Sequence, residues 1–142
     1  MDFIYPESVS FSCIRCGICC GDINEEKRHI LMLSEEANEI SARIGKNILN
    51  FADINENQPP YRYEMKKNEK GICIFLKDNK CDIYSSRPLI CRFYPFELID
   101  HPNEKYEFLF TNECPGIFKG KKIGKEHFIK LFLLACSKFK KL

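Results

Sequence analysis

The chain has 142 residues, of which nine are cysteine, and a formal net charge of +2. This length predicts one compact domain, residues 1–142, with a modest core, and the interspersed acidic and basic side chains argue against a nucleic-acid-binding or membrane-binding protein. The first residues lack the basic and apolar regions of a secretion signal, so the odd cysteine number indicates a reducing, cytoplasmic location and metal binding rather than disulfides.

The segment 11–21 contains four closely spaced cysteines: Cys13, Cys16, Cys19 and Cys20. Two thiolates separated by two residues can bind one metal ion, or neighbouring corners of a cluster, without stretching the backbone. The Cys-x-x-Cys-x-x-Cys spacing matches the start of the bacterial ferredoxin pattern. Because adjacent side chains point apart, Cys19 and Cys20 are predicted to serve different sites. A disulfide knot or ordinary buried cysteines are the alternative.

The following segment predicts a helix over residues 34–44, with Ser34 as its N-cap and Gly45 just beyond its end. Apolar residues recur there at helical intervals: Ile30, Leu33, Ala37, Ile40 and Ile44. A short apolar segment at 48–51 and, beyond a polar Pro-Pro loop, a strand at 61–66 are predicted to follow.

Two apolar segments, 72–76 and 81–84, flank a polar Lys77–Lys80 and predict a hairpin with a four-residue turn. The first arm carries Cys73 and the second arm carries Cys81. Folding the arms together is expected to bring both thiols within reach of one metal.

A short helix is predicted to begin at Ser85-Ser86-Arg87-Pro88 and to carry Cys91. Arg92 follows directly. Its guanidinium would offset the negative charge of several thiolates if Cys91 is a ligand, and a surface salt bridge is the alternative.

The last third of the chain predicts a strand at 106–110, then a Cys114-Pro115 pair like the one that ends the ferredoxin pattern. A lysine-rich loop with Lys119, Lys121, Lys122 and Lys125 is expected to be a solvated face or a patch for an anionic partner. A helix over 126–139 is apolar on most faces and must be buried against the domain or a partner. Cys136 within it is predicted to be a small buried apolar residue.

Eight cysteines remain as candidate ligands when Cys136 is set aside: Cys13, Cys16, Cys19, Cys20, Cys73, Cys81, Cys91 and Cys114. They could form two four-ligand sites, or one cluster with spare thiols. The histidines, His29, His101 and His127, are scattered and are predicted to be surface residues.

These motifs together resemble the CxxCxxCC cysteine-cluster (YkgJ-like) family of zinc- or iron-chelating proteins. The resemblance extends over residues 11–120 through the first four cysteines, the Cys73 and Cys81 segments, Arg87-Pro88-x-x-Cys91-Arg92 and Cys114-Pro115-Gly116. It implies metal chelation by the eight cysteines. Some larger members look like flagellin lysine N-methylases that carry this module as an iron–sulfur part, but the present chain lacks the usual glycine fingerprint for S-adenosylmethionine.

Three functions follow as hypotheses for a small α+β domain with two main helices, short strands and long irregular loops. The first is an iron–sulfur protein, with a 4Fe–4S cluster held mainly by Cys13, Cys16 and Cys19 and completed by a later cysteine, while Cys20 joins the remaining ones. It would transfer electrons, or handle clusters or metal, for a protein partner. The second is a structural zinc module whose surface binds a partner. The third is an iron–sulfur-dependent protein-modifying enzyme. The oligomeric state stays open, although the apolar last helix permits a dimer.

Overall fold

The computed structural model describes residues 3–13, 21, 27–111, 114 and 116–139. The chain packs as two compact units, one formed by Met1–Cys16 with Phe93–Leu142 and the other by Gly17–Arg92. Helices and short strands occur together, which confirms the predicted α+β class. The single domain over residues 1–142 stays a prediction.

The described helices are α1 (Ser34–Ile44), α2 (Leu89–Phe93) and α3 (Lys125–Phe139), with short 3-10 helices at Ile48–Asn50 and Tyr84–Ser86. The described strands are β1 (Phe3–Ile4), β2 (Ser10–Phe11), β3 (Leu31–Met32), β4 (Ala52–Ile54), β5 (Tyr63–Met65), β6 (Leu76–Lys77), β7 (Lys80–Cys81), β8 (Phe96–His101), β9 (Lys105–Phe110) and β10 (Ile117–Lys122).

Helix α1 in the unit Gly17–Arg92 confirms the predicted boundaries but not the predicted cap. Ser34 is the first helical residue, and Leu33 occupies the N-cap position without a capping side chain. The carboxylate of Glu36 instead accepts the Leu33 backbone N–H at 3.0 Å. Gly45 ends the helix in the left-handed conformation, with φ 68° and its N–H donated to the Ser41 carbonyl, as the sequence predicts.

The core of this unit lies between α1 and an antiparallel sheet of order β3-β5-β4. Strand β5 confirms the strand predicted around residues 61–66, and the Ile48–Asn50 helix confirms the short apolar segment. Fully buried side chains include Met32, Ile40 and Phe51. Strand β3 was not indicated by the sequence because only two residues take part in it.

The predicted hairpin is present as β6 and β7, with Leu76 opposite Cys81 and Lys77 opposite Lys80. The ladder therefore includes both lysines, and the turn has two residues rather than the predicted four. Asp78 and Asn79 form it with φ of 51° and 60°. Left-handed conformations at both central positions suit the twist of a hairpin, and Asn and Asp tolerate them better than other non-glycine residues.

The unit that contains the chain termini is built on a sheet of order β1-β9-β8 covered by α3. Strand β9 and helix α3 confirm the two elements predicted there, with α3 beginning at Lys125. Phe3 contacts Phe108 and Phe132 at ring distances of 5.4 and 5.1 Å, and Phe128 is fully buried. Aromatic rings thus supply the bulk of a core without tryptophan. Cys136 lies on α3 as predicted, but it is half-buried rather than buried.

The lysine-rich segment is a strand and not the predicted loop. Strand β10 pairs antiparallel with β2, with Ile117 opposite Phe11 and Lys122 opposite Ser10. Four residues therefore bulge out between two neighbouring partners of β2. The alternation that identifies a strand is interrupted by this bulge, which explains why the sequence does not predict it.

No helix within the described ranges is long and apolar enough to cross a membrane.

Candidate metal centre

Three candidate ligands, Cys73, Cys81 and Cys91, converge on the core of the unit Gly17–Arg92. Cys73 is 5% exposed and belongs to the buried cluster, and Cys81 and Cys91 pack against that cluster. We refer to them as the three core cysteines. All three therefore lie beside one core, and their role as metal ligands stays a prediction.

The hairpin segment fixes the first two of these cysteines. Cys73 forms an isolated antiparallel bridge with Lys67, and its carbonyl accepts the N–H of Leu76 at 3.0 Å. Leu76 is in turn the ladder partner of Cys81. Cys73 and Cys81 are therefore not direct partners across the hairpin. Leu76 connects them, since it bonds to the Cys73 carbonyl and pairs with Cys81.

Helix α2 carries the third, Cys91, whose N–H donates to the Pro88 carbonyl at 3.0 Å. The adjacent Arg92 donates from Nε to the Arg87 carbonyl and from Nη2 to the Ser85 carbonyl, both at 2.9 Å. These bonds tie the 3-10 helix before Pro88 to the helix after it. The described contacts of Arg92 therefore give it a role in positioning the segment that leads to Cys91.

Glu36 is a buried carboxylate in the first turn of α1. It is 4% exposed, and its two oxygens accept the backbone N–H groups of Leu33 and Leu89. One side chain therefore satisfies donors at the starts of both α1 and α2. Burial, and then the negative charge of Glu36, raises the pKa of Tyr61 above its usual value. The acidic residue at the third helical position signals the first bond, but the second joins distant segments and has no local pattern.

Gly21 lies directly after the four-cysteine segment and is the antiparallel bridge partner of Ile72, which precedes Cys73. A Cβ atom at Gly21 would lie 3.3 Å from the Gly71 carbonyl oxygen and 3.4 Å from an Ile72 side-chain carbon. The close approach favours glycine. One end of the cysteine-rich segment is therefore fixed beside the first core cysteine.

Cys13 and Cys114 lie in the unit that contains the termini, on either side of a close backbone contact. The Ser12 N–H donates to the Gly116 carbonyl at 3.1 Å. Cys13 is exposed, whereas Cys114 is 6% exposed. The start of the cysteine-rich segment is thus fixed beside the Cys-Pro-Gly motif, so these two predicted ligands lie in neighbouring backbone segments.

Gly116→Ala should destabilise the domain by about 1–3 kcal/mol, because the added Cβ would overlap the Ser12 carbonyl oxygen. Gly124→Ala is the matched control, since no atom lies within 4 Å of its Cβ position. It should leave stability unchanged or slightly raised. Denaturant unfolding of both variants tests this, and an equal effect would refute the contact.

Cys16, Cys19 and Cys20 lie outside the described residues. Within the described ranges, no three His, Cys, Asp or Glu side chains form a group able to hold a metal ion. His29 instead pairs with Glu64 at 2.9 Å and His101 with Glu107 at 3.0 Å. A site with three or more protein ligands in this arrangement must therefore use at least one side chain from outside the described ranges.

The sequence profile of the CxxCxxCC family, described as "Putative zinc- or iron-chelating domain", matches residues 12–115. The chain belongs to this family. The match includes the eight candidate cysteines and excludes Cys136. The resemblance noted in the sequence is thereby confirmed, and the chain carries a zinc- or iron-chelating type of domain.

Two proteins of Methanocaldococcus jannaschii are similar to this CxxCxxCC domain. Uncharacterized protein MJ0661 is 30% identical over 132 residues, which cover 88% of the chain and 68% of that protein. Uncharacterized protein MJ0939 is 25% identical over 130 residues, which cover 81% of the chain but only 40% of that protein. No solved structure matches the sequence.

The donor set of the CxxCxxCC domain fits a thiophilic metal or an iron–sulfur cluster. Thiolates are soft ligands that suit zinc and iron–sulfur centres, and the three core cysteines lie at an apolar core that limits solvent access. The Ser86 hydroxyl is also buried and has no hydrogen-bond partner among the described residues. It is available to donate to a thiolate or sulfide.

Proposed function

We propose that this CxxCxxCC domain binds iron–sulfur clusters through its eight candidate cysteines, and that it transfers electrons, or handles clusters or metal, for a partner protein. The observation that carries the proposal is the convergence of Cys73, Cys81 and Cys91 on one core, with Gly21 paired beside the first of them. A bound cluster would supply one-electron chemistry, and the chain would supply thiolates and a dry surrounding.

We assign the ligands to two sets of four. Cys20 joins the three core cysteines, because it directly precedes Gly21, the bridge partner of Ile72. The other set is Cys13, Cys16, Cys19 and Cys114. It is supported by the ferredoxin-like spacing of its first three members and by the Ser12–Gly116 contact between Cys13 and Cys114.

The all-thiolate candidate set and the Cys114-Pro115 pair favour a cluster over one zinc ion. In a tetrahedral site the sulfurs lie about 2.3 Å from zinc, and hence within about 4 Å of one another. A cluster distributes its ligands over separate iron atoms, so thiolates can share one core without meeting at a single ion.

A structural zinc module is the second candidate, and the burial of Cys73 supports it. A metal bound to a thiolate that is itself part of the core would stabilise the fold directly. Each zinc would then be bound by four of the eight candidate thiolates.

Anaerobic purification followed by measurement of iron, zinc and acid-labile sulfide distinguishes these candidates. Iron with near-equal sulfide, and broad visible absorption, is the expected result. Zinc without sulfide would refute the iron–sulfur proposal and favour the structural module.

Serine substitutions test the two ligand sets. Cys13→Ser and Cys81→Ser should each remove about half of the iron, and the double variant should lose nearly all of it, because the two residues serve separate sets. Cys13→Ser combined with Cys114→Ser should lose no more than either alone. Cys136→Ser is the control and should keep full iron content. Additive loss within one set would refute the assignment.

A further inference from the structure

The bulge of β10 is the most unusual surface feature in the unit that contains the termini. Ile117 and Lys122 pair with the adjacent residues Phe11 and Ser10, so that residues 118–121 loop out between them. Every residue from 118 to 122 is exposed. We call residues 118–122 the cationic bulge, because it contains Lys119, Lys121 and Lys122.

Phe118 gives this bulge an apolar tip. It is 56% exposed and adopts the left-handed conformation, with φ 65°. An aromatic residue in that conformation is strained, and the only ring contact described for it is with Phe110, at 5.6 Å. Such strain is typical of sites where function, and not stability, determines the residue.

Lysines on an exposed strand can simply prevent edge-to-edge aggregation. That role explains the charges, but it does not require an exposed, strained phenylalanine beside them. Aromatic residues are enriched at protein interfaces, where lysines steer an acidic partner into place. The combination of both features in one short segment therefore favours a docking surface.

The bulge also contacts residues that lie next to candidate metal ligands in the sequence. A Cβ atom at Gly120 would lie 2.8 Å from the Ser12 Cβ, and Lys119 donates its N–H to the Gly116 carbonyl at 3.1 Å. Ser12 immediately precedes Cys13, and Gly116 lies two positions after Cys114. A protein seated on the bulge would thus lie near one of the two ligand sets.

We propose that the cationic bulge is the docking surface for an acidic face of the partner protein that the metal centre serves. The role assigned to the partner rests on the proposed function. Three lysines within four residues complement a carboxylate-rich surface, and Phe118 supplies an apolar anchor. The net charge of +2 for the whole chain makes an acidic protein a better occupant than a nucleic acid or an anionic membrane.

Fluorescence anisotropy with a labelled glutamate-rich peptide that has a central tyrosine tests the proposal on the full, metal-loaded chain. Binding is expected at low salt, with weakening as the salt rises to about 0.15 M, where charges are screened beyond roughly 8 Å. The matched glutamine peptide should not bind. Lys119→Glu with Lys121→Glu should weaken binding about tenfold or more. Lys105→Glu with Lys130→Glu, at exposed lysines of β9 and α3, changes the net charge by the same amount and is the control that should not weaken binding.

Phe118→Gly separates docking from stability. Glycine adopts the left-handed conformation without strain, so this variant should keep or raise the thermal midpoint while it weakens peptide binding. A weaker fold with unchanged binding would refute the anchor role.

Tighter binding of a single-stranded oligonucleotide or of anionic lipid vesicles than of the acidic peptide would overturn the choice of partner. Equal loss of peptide binding in the Lys105 and Lys130 control would overturn the choice of surface. Metal analysis of the same samples keeps the two proposals distinct. A zinc-loaded chain that binds the peptide would support the docking surface and refute the iron–sulfur proposal. An iron- and sulfide-loaded chain that does not bind the peptide would support the iron–sulfur proposal and refute the docking surface.

Discussion

Complete removal of the metal should unfold the CxxCxxCC domain, with loss of far-UV circular dichroism and of the thermal transition. Cys73 is part of the buried core, and Cys81 and Cys91 pack against it. In the proposed arrangement, chelation would remove the metal bonds that join these cysteines to Cys20. Structural metal sites contribute about 10–16 kcal/mol in small zinc peptides, which equals or exceeds the roughly 5–15 kcal/mol by which whole domains are stable.

The measurement is a chelator titration under anaerobic conditions, followed by circular dichroism and by readdition of iron with sulfide, or of zinc. Recovery of the signal on readdition separates metal loss from irreversible oxidation of the thiols. A domain that keeps its circular dichroism and thermal midpoint without metal would contradict the prediction. Its hydrophobic core would then be sufficient, and the cysteines would serve function alone.

Local signals in the sequence were sufficient for the longer helices and for the hairpin. Helix α1 combines an apolar period with Gly45 at its end, and both features are properties of neighbouring residues. Helix α3 has a dense apolar pattern of the same kind. The hairpin was recognisable because two apolar segments flank Asp78-Asn79, although the length of the turn was not.

Two elements that the sequence did not indicate, β3 and β10, depend on distant partners. Strand β3 pairs two residues with β5, and β10 pairs with β2 on either side of a bulge. Neither has enough alternating residues to show a period of two. Their existence is determined by tertiary contacts, which local propensity does not encode.

The candidate metal site likewise contains some residues that the sequence indicates and others that only the folded chain reveals. Spacing marks the eight cysteines as candidate ligands, since thiol pairs at fixed intervals are a local signature. Of the three core cysteines, only the hairpin pair, Cys73 and Cys81, is predicted from the sequence to lie close together. The bonds of Glu36 and Arg92 that position α2 became evident only from the folded chain, because a side chain that binds a distant backbone leaves no pattern at its own position.

Glu36→Ala should lower the free energy of unfolding by about 3–4 kcal/mol, since it leaves the backbone N–H groups of Leu33 and Leu89 buried without their charged acceptor. Glu35→Ala is the matched control. Glu35 is adjacent, has the same charge and is exposed, so its removal should change stability by no more than about 0.5 kcal/mol. Denaturant unfolding of the metal-loaded protein measures both values.

A second readout separates positioning of the metal ligand from general stability. Leu89 begins the helix that carries Cys91, so loss of the Glu36 bond should loosen the third core cysteine and accelerate metal loss to a chelator. Ile40→Ala, a buried substitution in the same helix as Glu36, should cost a similar 2–5 kcal/mol without touching Leu89. Faster metal loss in Glu36→Ala than in Ile40→Ala would establish the positioning role. Equal rates at equal stability would mean that Glu36 acts only through the fold.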